Sequence, residues 1–256
     1  MKKGTQAFLV IIAAVWYVGY QVNQSSSSSS SNVANTNVAV KVNNTQPFNL
    51  SWPGEVSENP SNESYFSKNY YVVLDGSGSM DDVGCSNGKK KLIVAKKALS
   101  SFVDLISPSD NIGLFVFDFN GVDERVSLGV KNRDLLKSEI DKIRAGGRTP
   151  LGSSLEIGFD KLTQAGKEQL GYGEYHIVVL TDGIASDTEL VNQAVSKIIT
   201  KSPIVVHTVG FCIGNDHTLN QKGKTYYKAA NDPESLVQGL GDVLAESESF
   251  SVASFE

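Results

Sequence analysis

The chain has 256 residues, of which 40% are hydrophobic and 20% are charged, a composition typical of one medium-sized globular domain with additional segments. Its formal net charge of −5 argues against a nucleic-acid partner, because nucleic acids select basic surfaces. The two cysteines suggest neither a disulfide-rich scaffold nor a zinc cluster, which usually needs four ligands.

Residues 1–24 have the pattern of a membrane anchor or a secretion signal. Two lysines near the start precede an apolar run over residues 7–20. This run is shorter than the roughly 20 residues of a full membrane span. No Ala-x-Ala cleavage site follows it, however, and its aromatic residues Trp16, Tyr17 and Tyr20 are typical of a membrane interface. We therefore favour an uncleaved anchor over a removed signal, and either would place the remaining chain outside the cytoplasm.

Residues 25–69 are predicted to be a tether rich in serine and asparagine. The polyserine run at residues 25–31 is typical of a flexible linker, and it argues against a buried helix over residues 7–20. Apolar residues alternate with polar ones at positions 38, 40 and 42 and again at 48, 50 and 52. Short strands against the main domain and a disordered spacer are both compatible with this pattern.

The apolar run at residues 70–74 predicts a buried strand, because it is short, aromatic and β-branched and has no polar alternation. Asp75 follows directly, and glycines then separate Ser77 from Ser79. The glycines allow a turn tight enough to bring Asp75, Ser77 and Ser79 to one point. Three side-chain oxygens at the end of a strand suit a hard cation such as Mg²⁺ or Ca²⁺.

Strands and helices alternate through the rest of the chain, which indicates a mostly parallel sheet with helices on both faces. The Asn120–Gly121 pair is a hairpin signal, so the strand after it should be an antiparallel edge strand. The predicted helices cover residues 89–106, 133–143, 151–169, 189–200 and 233–245, and the later strands cover residues 112–119, 122–130, 175–180, 204–209 and 224–227.

The first predicted helix carries five lysines: Lys89, Lys90, Lys91, Lys96 and Lys97. Such a run is more often a solvated helix face than a binding patch. We therefore expect these side chains to face water.

The spacing Asp75-x-Ser77-x-Ser79 resembles the metal-ion-dependent adhesion site of von Willebrand factor type A (VWA) domains. That family also needs a threonine and an aspartate on two later loops. The segment Gly-Gly-Arg-Thr-Pro-Leu supplies Thr149, and Ile-Val-Val-Leu-Thr-Asp-Gly supplies Asp182. A single motif of this kind is a weak signal, but three pieces in order at the ends of fitting elements are specific. The resemblance covers about residues 70–244.

The resemblance implies a doubly wound α/β fold with a six-stranded sheet in the order 3-2-1-4-5-6, formed by residues 70–247 and followed by a tail at 248–256. Strands one and four are neighbours in that order, so their following loops meet at the carboxyl edge of the sheet. Pro150 fits the first helical position, which would make Thr149 the N-cap of the next helix.

By resemblance, the hydroxyls of Ser77, Ser79 and Thr149 contact a Mg²⁺ ion, or Ca²⁺ or Mn²⁺, and Asp75 and Asp182 act largely through water. The last coordination position would accept an aspartate or glutamate of a partner protein. This predicts a protein-binding module rather than an enzyme. The pattern of residues 1–24 separately predicts that the N-terminal segment joins this module to a membrane.

In this fold, Cys85 and Cys212 should both lie near the rim that carries the metal loops. Outside the cytoplasm they are expected to pair, which would stiffen two loops beside the site. The alternative is two independent small core residues.

Other classes fit the sequence less well. Residues 84–88 match the Gly-x-Ser-x-Gly pattern of serine hydrolases, and Ser86, Asp182 and His207 follow that family's chain order. Ser86 is too far from the strand end, however, and His207 falls inside a predicted strand. The first glycine-containing loop lacks the lysine of a phosphate-binding loop, and the three histidines are too scattered for a zinc site. A structural subunit of a surface fibre or envelope complex, using other faces of the domain, stays open.

Overall fold

The computed structural model describes residues 51–56 and 65–249. The predicted anchor, most of the tether and the last seven residues lie outside these ranges. Among the described residues, no helix has both the length and the apolar character needed to cross a membrane.

A single six-stranded sheet forms the centre of the domain, in the order β3-β2-β1-β4-β5-β6. Every neighbouring pair is parallel except β2 and β3, which form the antiparallel edge hairpin. The predicted fold class and strand order are confirmed. The strands are β1 (Lys68–Asp75), β2 (Asn111–Asp118), β3 (Gly121–Gly129), β4 (Glu174–Thr181), β5 (Val205–Phe211) and β6 (Tyr226–Ala230).

Helices cover both faces of this sheet. Helices α1, α2 and α5 pack against one face, and α3 and α4 pack against the other. Within β1, Val72 and Leu74 enter the first core and Tyr71 and Val73 enter the second, because successive side chains of a strand point to opposite faces. The helices are α1 (Lys91–Leu105), α2 (Arg133–Lys142), α3 (Leu151–Glu168), α4 (Thr188–Lys201) and α5 (Pro233–Ser249), with a short 3₁₀ helix at Gly78–Asp81.

Most element boundaries agree with the predicted ones to within two residues, and the largest differences lie near the C-terminus. The edge strand β6 runs to Ala230 rather than to residue 227, and α5 runs to Ser249 rather than to residue 245. Strand β6 is half exposed and ends in two alanines, so its apolar pattern is weaker than that of the buried strands.

The described residues 51–56 form a turn, so Trp52, at the end of the second alternating stretch, does not lie in a strand. The indole of Trp52 packs edge-on against Tyr175 at 4.7 Å, and its Nε1 donates to Thr163 Oγ1 at 3.1 Å. Gly166 on α3 leaves the space in which the indole ring lies. This end of the predicted tether therefore packs on the domain. The alternating valines at 38, 40 and 42 lie outside the described residues.

Candidate metal centre

Two of the three candidate loops leave adjacent strands at the same edge of the sheet. Strand β1 pairs with β4 in parallel, with Leu74 opposite Leu180. Asp75 ends β1, and Asp182 directly follows the last residue of β4. The two carboxylates therefore enter the site from neighbouring strands.

Asp75 is fully buried, and hydrogen bonds hold both of its carboxylate oxygens. Its Oδ1 accepts from the backbone N–H of Ser77 at 2.8 Å, and its Oδ2 accepts from Thr181 Oγ1 at 2.5 Å. Burial raises the pKa of Asp75 to about 6, although the hydrogen bonds from Ser77 and Thr181 act in the opposite direction. The negative charge of Asp182 adds to the rise.

The two serines connect the first loop to the third. Ser77 Oγ lies 3.2 Å from Ser79 Oγ, and Ser79 Oγ donates to Asp182 Oδ1 at 2.7 Å. The Asp-x-Ser-x-Ser turn therefore brings its hydroxyls to the aspartate of β4, although 103 residues separate Ser79 from Asp182.

Thr149 brings the second loop to the same place. A Cβ atom placed on Gly183 would lie 3.4 Å from Ser79 Oγ, 3.5 Å from Thr149 Oγ1 and 3.7 Å from Asp75 Oδ2. Oxygens from the first and second loops thus border one small space beside Gly183 of the third loop, and this space stays open because residue 183 has no side chain. All five residues named from the sequence are brought together at this edge of the sheet.

Main-chain hydrogen bonds fix the threonine loop against the first loop. Gly146 N–H donates to Gly76 O at 2.9 Å, and Gly78 N–H donates to Gly147 O at 3.3 Å. Gly147 has a φ of +84°, a left-handed conformation that favours glycine. The consecutive glycines before Thr149 are therefore required by the path of this loop.

A family model for the von Willebrand factor type A domain matches residues 69–253. The chain belongs to this family. Two curated relatives, both uncharacterised proteins, come from Synechocystis sp. and Borreliella burgdorferi. The first is 26% identical over 146 residues, which are 56% of this chain and 32% of that protein. The second is 27% identical over 179 residues, which are 65% of this chain and 49% of that protein. The chain thus spans half or less of the length of these relatives.

Solved VWA-like structures share the fold at low sequence identity. The von Willebrand factor type A protein from Catenulispora acidiphila has a TM-score of 0.57 at 20% identity, covering 71% of this chain and 43% of that one. The PilB minor pilin from Streptococcus sanguinis has a TM-score of 0.53 at 15% identity, covering 70% and 61%. The pilus adhesin SpaC from Lactobacillus rhamnosus GG has a TM-score of 0.55 at 14% identity, covering 75% and 31%.

The start of α3 in this VWA domain differs from the sequence prediction. Pro150 is the N-cap and the helix begins at Leu151, so Thr149 is not the N-cap. The carboxylate of Asp187, on the loop after β4, instead accepts from the N–H groups of Gly152 and Ser153, each at 3.0 Å. Asp187 was missed because it comes from a distant loop and caps a helix other than its own.

A third buried aspartate, besides Asp75 and Asp182, holds the threonine loop of the VWA domain and was missed from the sequence. Asp118 ends β2 and accepts from the Arg144 N–H at 3.1 Å and from Arg125 Nη2 at 2.9 Å. In return, the Phe119 N–H donates to Arg144 O at 2.9 Å. The sequence did contain a signal for this residue, because Asp118 ends an apolar strand just as Asp75 does.

Lys91 is the largest departure from the sequence analysis. It was predicted to face water with the other lysines, but its side chain is only 10% exposed and its Nζ lies 2.8 Å from Asp182 Oδ2. As the first residue of α1, it lies at the edge of the sheet where the β4 loop passes. Composition could not distinguish it from the neighbouring Lys90, which is exposed.

The predicted pairing of Cys85 with Cys212 is confirmed. A disulfide with a Cα–Cα distance of 5.7 Å joins the loop before α1 to the residue after β5. The bond connects two loops at the edge of the sheet that carries the candidate site.

The geometry gives little support to a serine-hydrolase site or a zinc site. Ser86 is fully buried, and its hydroxyl faces the carbonyls of Val83 and Lys89, unlike an exposed hydrolase nucleophile. His176 Nδ1 and His207 Nε2, far apart in sequence, lie 3.2 Å apart across β4 and β5. Even so, the described part of the chain contains no group of three or more histidine, cysteine or acidic residues placed to hold a metal.

Proposed function

We propose that this VWA domain binds a divalent cation and uses it to capture an acidic side chain of a partner protein. The observation that supports this is the convergence of three loops on one space bordered by Ser79, Thr149 and Asp75 oxygens, with Ser77 and Asp182 in contact with Ser79.

The donor set fits a hard cation. Hydroxyl and carboxylate oxygens are the ligands that Mg²⁺, Ca²⁺ and Mn²⁺ prefer, and the set contains no sulfur or imidazole. Ser77, Ser79 and Thr149 would hold the ion, with Asp75 and Asp182 contributing charge and oriented waters. When bound, the cation supplies a positive charge with an exchangeable position for a carboxylate.

The hydrogen bonds already present assign different tasks to these residues. Thr181 and the Ser77 N–H hold the Asp75 carboxylate in a fixed orientation. The Ser79 hydroxyl does the same for Asp182. Such prior orientation lowers the entropic cost of binding, because the groups do not have to be ordered again.

Capture of a partner, rather than catalysis, is proposed because the only serine in a nucleophile-like motif is buried in its own turn. The disulfide supports a location outside the cytoplasm, since such bonds persist in oxidising compartments. Adhesion or assembly at a cell surface, with residues 1–24 as the attachment, fits both features. The similarity in fold to a minor pilin and a pilus adhesin supports this proposal.

Calorimetric titration of Mg²⁺, Mn²⁺ and Ca²⁺ into the full chain tests the proposal. The wild type should bind one cation, and Asp75→Asn should bind it at least about 10-fold more weakly, because loss of a metal-orienting carboxylate typically costs 10- to 100-fold. Asp81→Asn is the matched control, since Asp81 lies six residues further on but is exposed. Equal binding by wild type and Asp75→Asn, or none by either, would refute the proposal.

A further inference from the structure

Lys91 brings a positive charge into the candidate site. Its Nζ lies 2.8 Å from Asp182 Oδ2, with side-chain exposures of 10% for the lysine and 0% for the aspartate. A buried lysine is costly unless its charge is matched, so this position requires its partner. Lys91 therefore belongs to the site rather than to the solvated face of α1.

The loop before α1 is shaped around this side chain. A Cβ on Gly84 would lie only 2.8 Å from Lys91 Cε, so a glycine leaves room for the lysine. The Lys91 N–H donates to Asp82 O at 2.8 Å, which fixes the start of the helix. The disulfide at Cys85 then holds the same loop to Cys212.

The two oxygens of Asp182 are divided between different partners. Oδ1 accepts from the Ser79 hydroxyl at 2.7 Å, and Oδ2 pairs with Lys91. An aspartate held in this way is oriented toward the hydroxyl cluster on one side and neutralised on the other.

We propose that Lys91 is a built-in counter-ion of the metal site, which weakens cation binding and gives the loaded site a net positive charge that selects a partner carboxylate. This inference rests on the proposed function. It assigns Lys91 a positioning and tuning role, without contact to the partner.

The charges of the site support this assignment. Asp75 and Asp182 together carry two negative charges, and Lys91 carries one positive charge, which leaves the site at minus one. A divalent cation would bring the total to plus one, which a single carboxylate neutralises. Without Lys91 the loaded site would be neutral, and the electrostatic attraction for an acidic partner would be weaker.

The same charges predict how the site behaves without a cation. Lys91 then remains the counter-charge for Asp182. We therefore expect the wild type to stay folded when a chelator removes the cation. Removing the lysine leaves two buried carboxylates close together without a counter-charge. This destabilises the cation-free protein, so the stability of the variant depends more strongly on a bound cation.

Lys91→Met tests the proposal, because methionine keeps an apolar stem of similar length but no charge. In calorimetric titrations of the full chain with Mn²⁺, this variant should bind about 10-fold more tightly than the wild type, as expected when a nearby like charge is removed. Lys90→Met is the matched control, since Lys90 precedes it in sequence but pairs with Asp81 on the surface. Its affinity should equal that of the wild type.

Thermal unfolding gives a second measurement that does not depend on a partner. In EDTA, Lys91→Met should melt below the wild type, and Mg²⁺ should raise its Tm by more than it raises that of the wild type. If Lys91→Met does not fold, Lys91→Gln replaces it, because glutamine can still donate to Asp182 without carrying charge. The same affinity increase is expected.

The outcomes separate this inference from the proposed function. Unchanged or weaker Mn²⁺ affinity in the folded Lys91 variants would overturn the counter-ion role, even if Asp75→Asn still showed the metal site to be real. A merely structural lysine would produce that result. If neither the wild type nor any Lys91 variant binds a cation, both proposals fail.

Discussion

The two ends of the sheet bury polar groups in opposite ways. At the amino end, Asn69 is fully buried, and its amide donates to Gln169 Oε1 at 2.7 Å and to Glu174 O at 3.0 Å. Asn111 Nδ2 donates to Asn69 Oδ1 at 2.9 Å, and Gln169 Nε2 donates to Ser67 O at 3.1 Å. This network is neutral and satisfied by the chain itself, so it locks the fold without needing a ligand.

At the carboxyl end, the candidate site instead buries two carboxylates, Asp75 and Asp182, against one lysine, Lys91. Its geometry is just as well organised, but its charges do not sum to zero. The contrast teaches that a polar network is structural when it is complete, and is a candidate binding site when it lacks a charge that only another species can provide.

The largest expected effect comes from removing the covalent link at the carboxyl end. Replacing Cys85 and Cys212 together by serine should lower the free energy of unfolding by about 4 kcal/mol, because the bond closes a long loop. The two residues are 127 positions apart. Urea unfolding in Mg²⁺ measures the change. Unaltered stability would mean that noncovalent contacts alone hold the rim.

Gly183→Ala should weaken cation binding at the carboxyl end of the sheet without unfolding the domain. The new methyl group would lie 3.4 to 3.7 Å from the Ser79, Thr149 and Asp75 oxygens, which is ordinary contact distance for a side chain but occupies the space between them. Mn²⁺ affinity should fall by about 100-fold, the upper range for disturbance of a metal site.

The control for this variant is Gly241→Ala, since a Cβ there meets nothing within 4 Å. Its Mn²⁺ affinity should match the wild type. Normal Mn²⁺ binding by Gly183→Ala would argue that the cation does not lie among these oxygens.

Asn69→Leu should disrupt the hydrogen-bond network at the amino end of the sheet and leave cation binding unchanged. It removes the donor and acceptor that Gln169 and Asn111 use, at a cost of about 2 kcal/mol in unfolding free energy. The loss should be the same in EDTA and in Mg²⁺, as measured by urea unfolding. Asn231→Leu, at an exposed position, should have almost no effect. A loss that depends on Mg²⁺ would contradict the separation of the two ends.

Lowering the pH should reduce the free energy of unfolding through His176 and His207, which lie toward the amino end of the sheet. Burial lowers their pKa values to about 4 and about 3, with a further reduction from Lys68 for His176 and from His176 for His207. Because the unfolded state then binds protons first, their contribution to stability is complete above about pH 6.5 and declines as the pH falls toward 4, by up to about 1.4 kcal/mol per pH unit for each histidine.

The raised pKa of Asp75 acts in the opposite sense below about pH 6, so the wild-type curve alone is not diagnostic. The difference between the wild type and a His176→Asn/His207→Asn variant, measured by urea unfolding in EDTA from pH 7 to pH 4.5, isolates the histidine contribution. A difference that does not change with pH would show that these imidazoles accept protons equally well in both states.

The sheet and the five candidate site residues could be identified from the sequence because their signals are local. Each strand is a short apolar run, and each candidate ligand follows such a run or a glycine-rich turn. Lys91 and Asp187 could not be predicted, because their roles depend on which distant loop passes beside them. The error at Thr149 has the same origin, since a local capping rule was overridden by a carboxylate from another loop.

The packing of Trp52 has a consequence for how the domain would be presented. The indole contacts Tyr175, near the start of β4, whereas Thr181 ends the same strand about 20 Å further along at 3.3 Å per residue. Strand β1 also begins at this end of the sheet, where Lys68 lies opposite Glu174. Trp52 and the start of β1 therefore lie at the end of the sheet opposite the hydroxyl cluster, so the described turn at residues 51–56 does not cover that cluster.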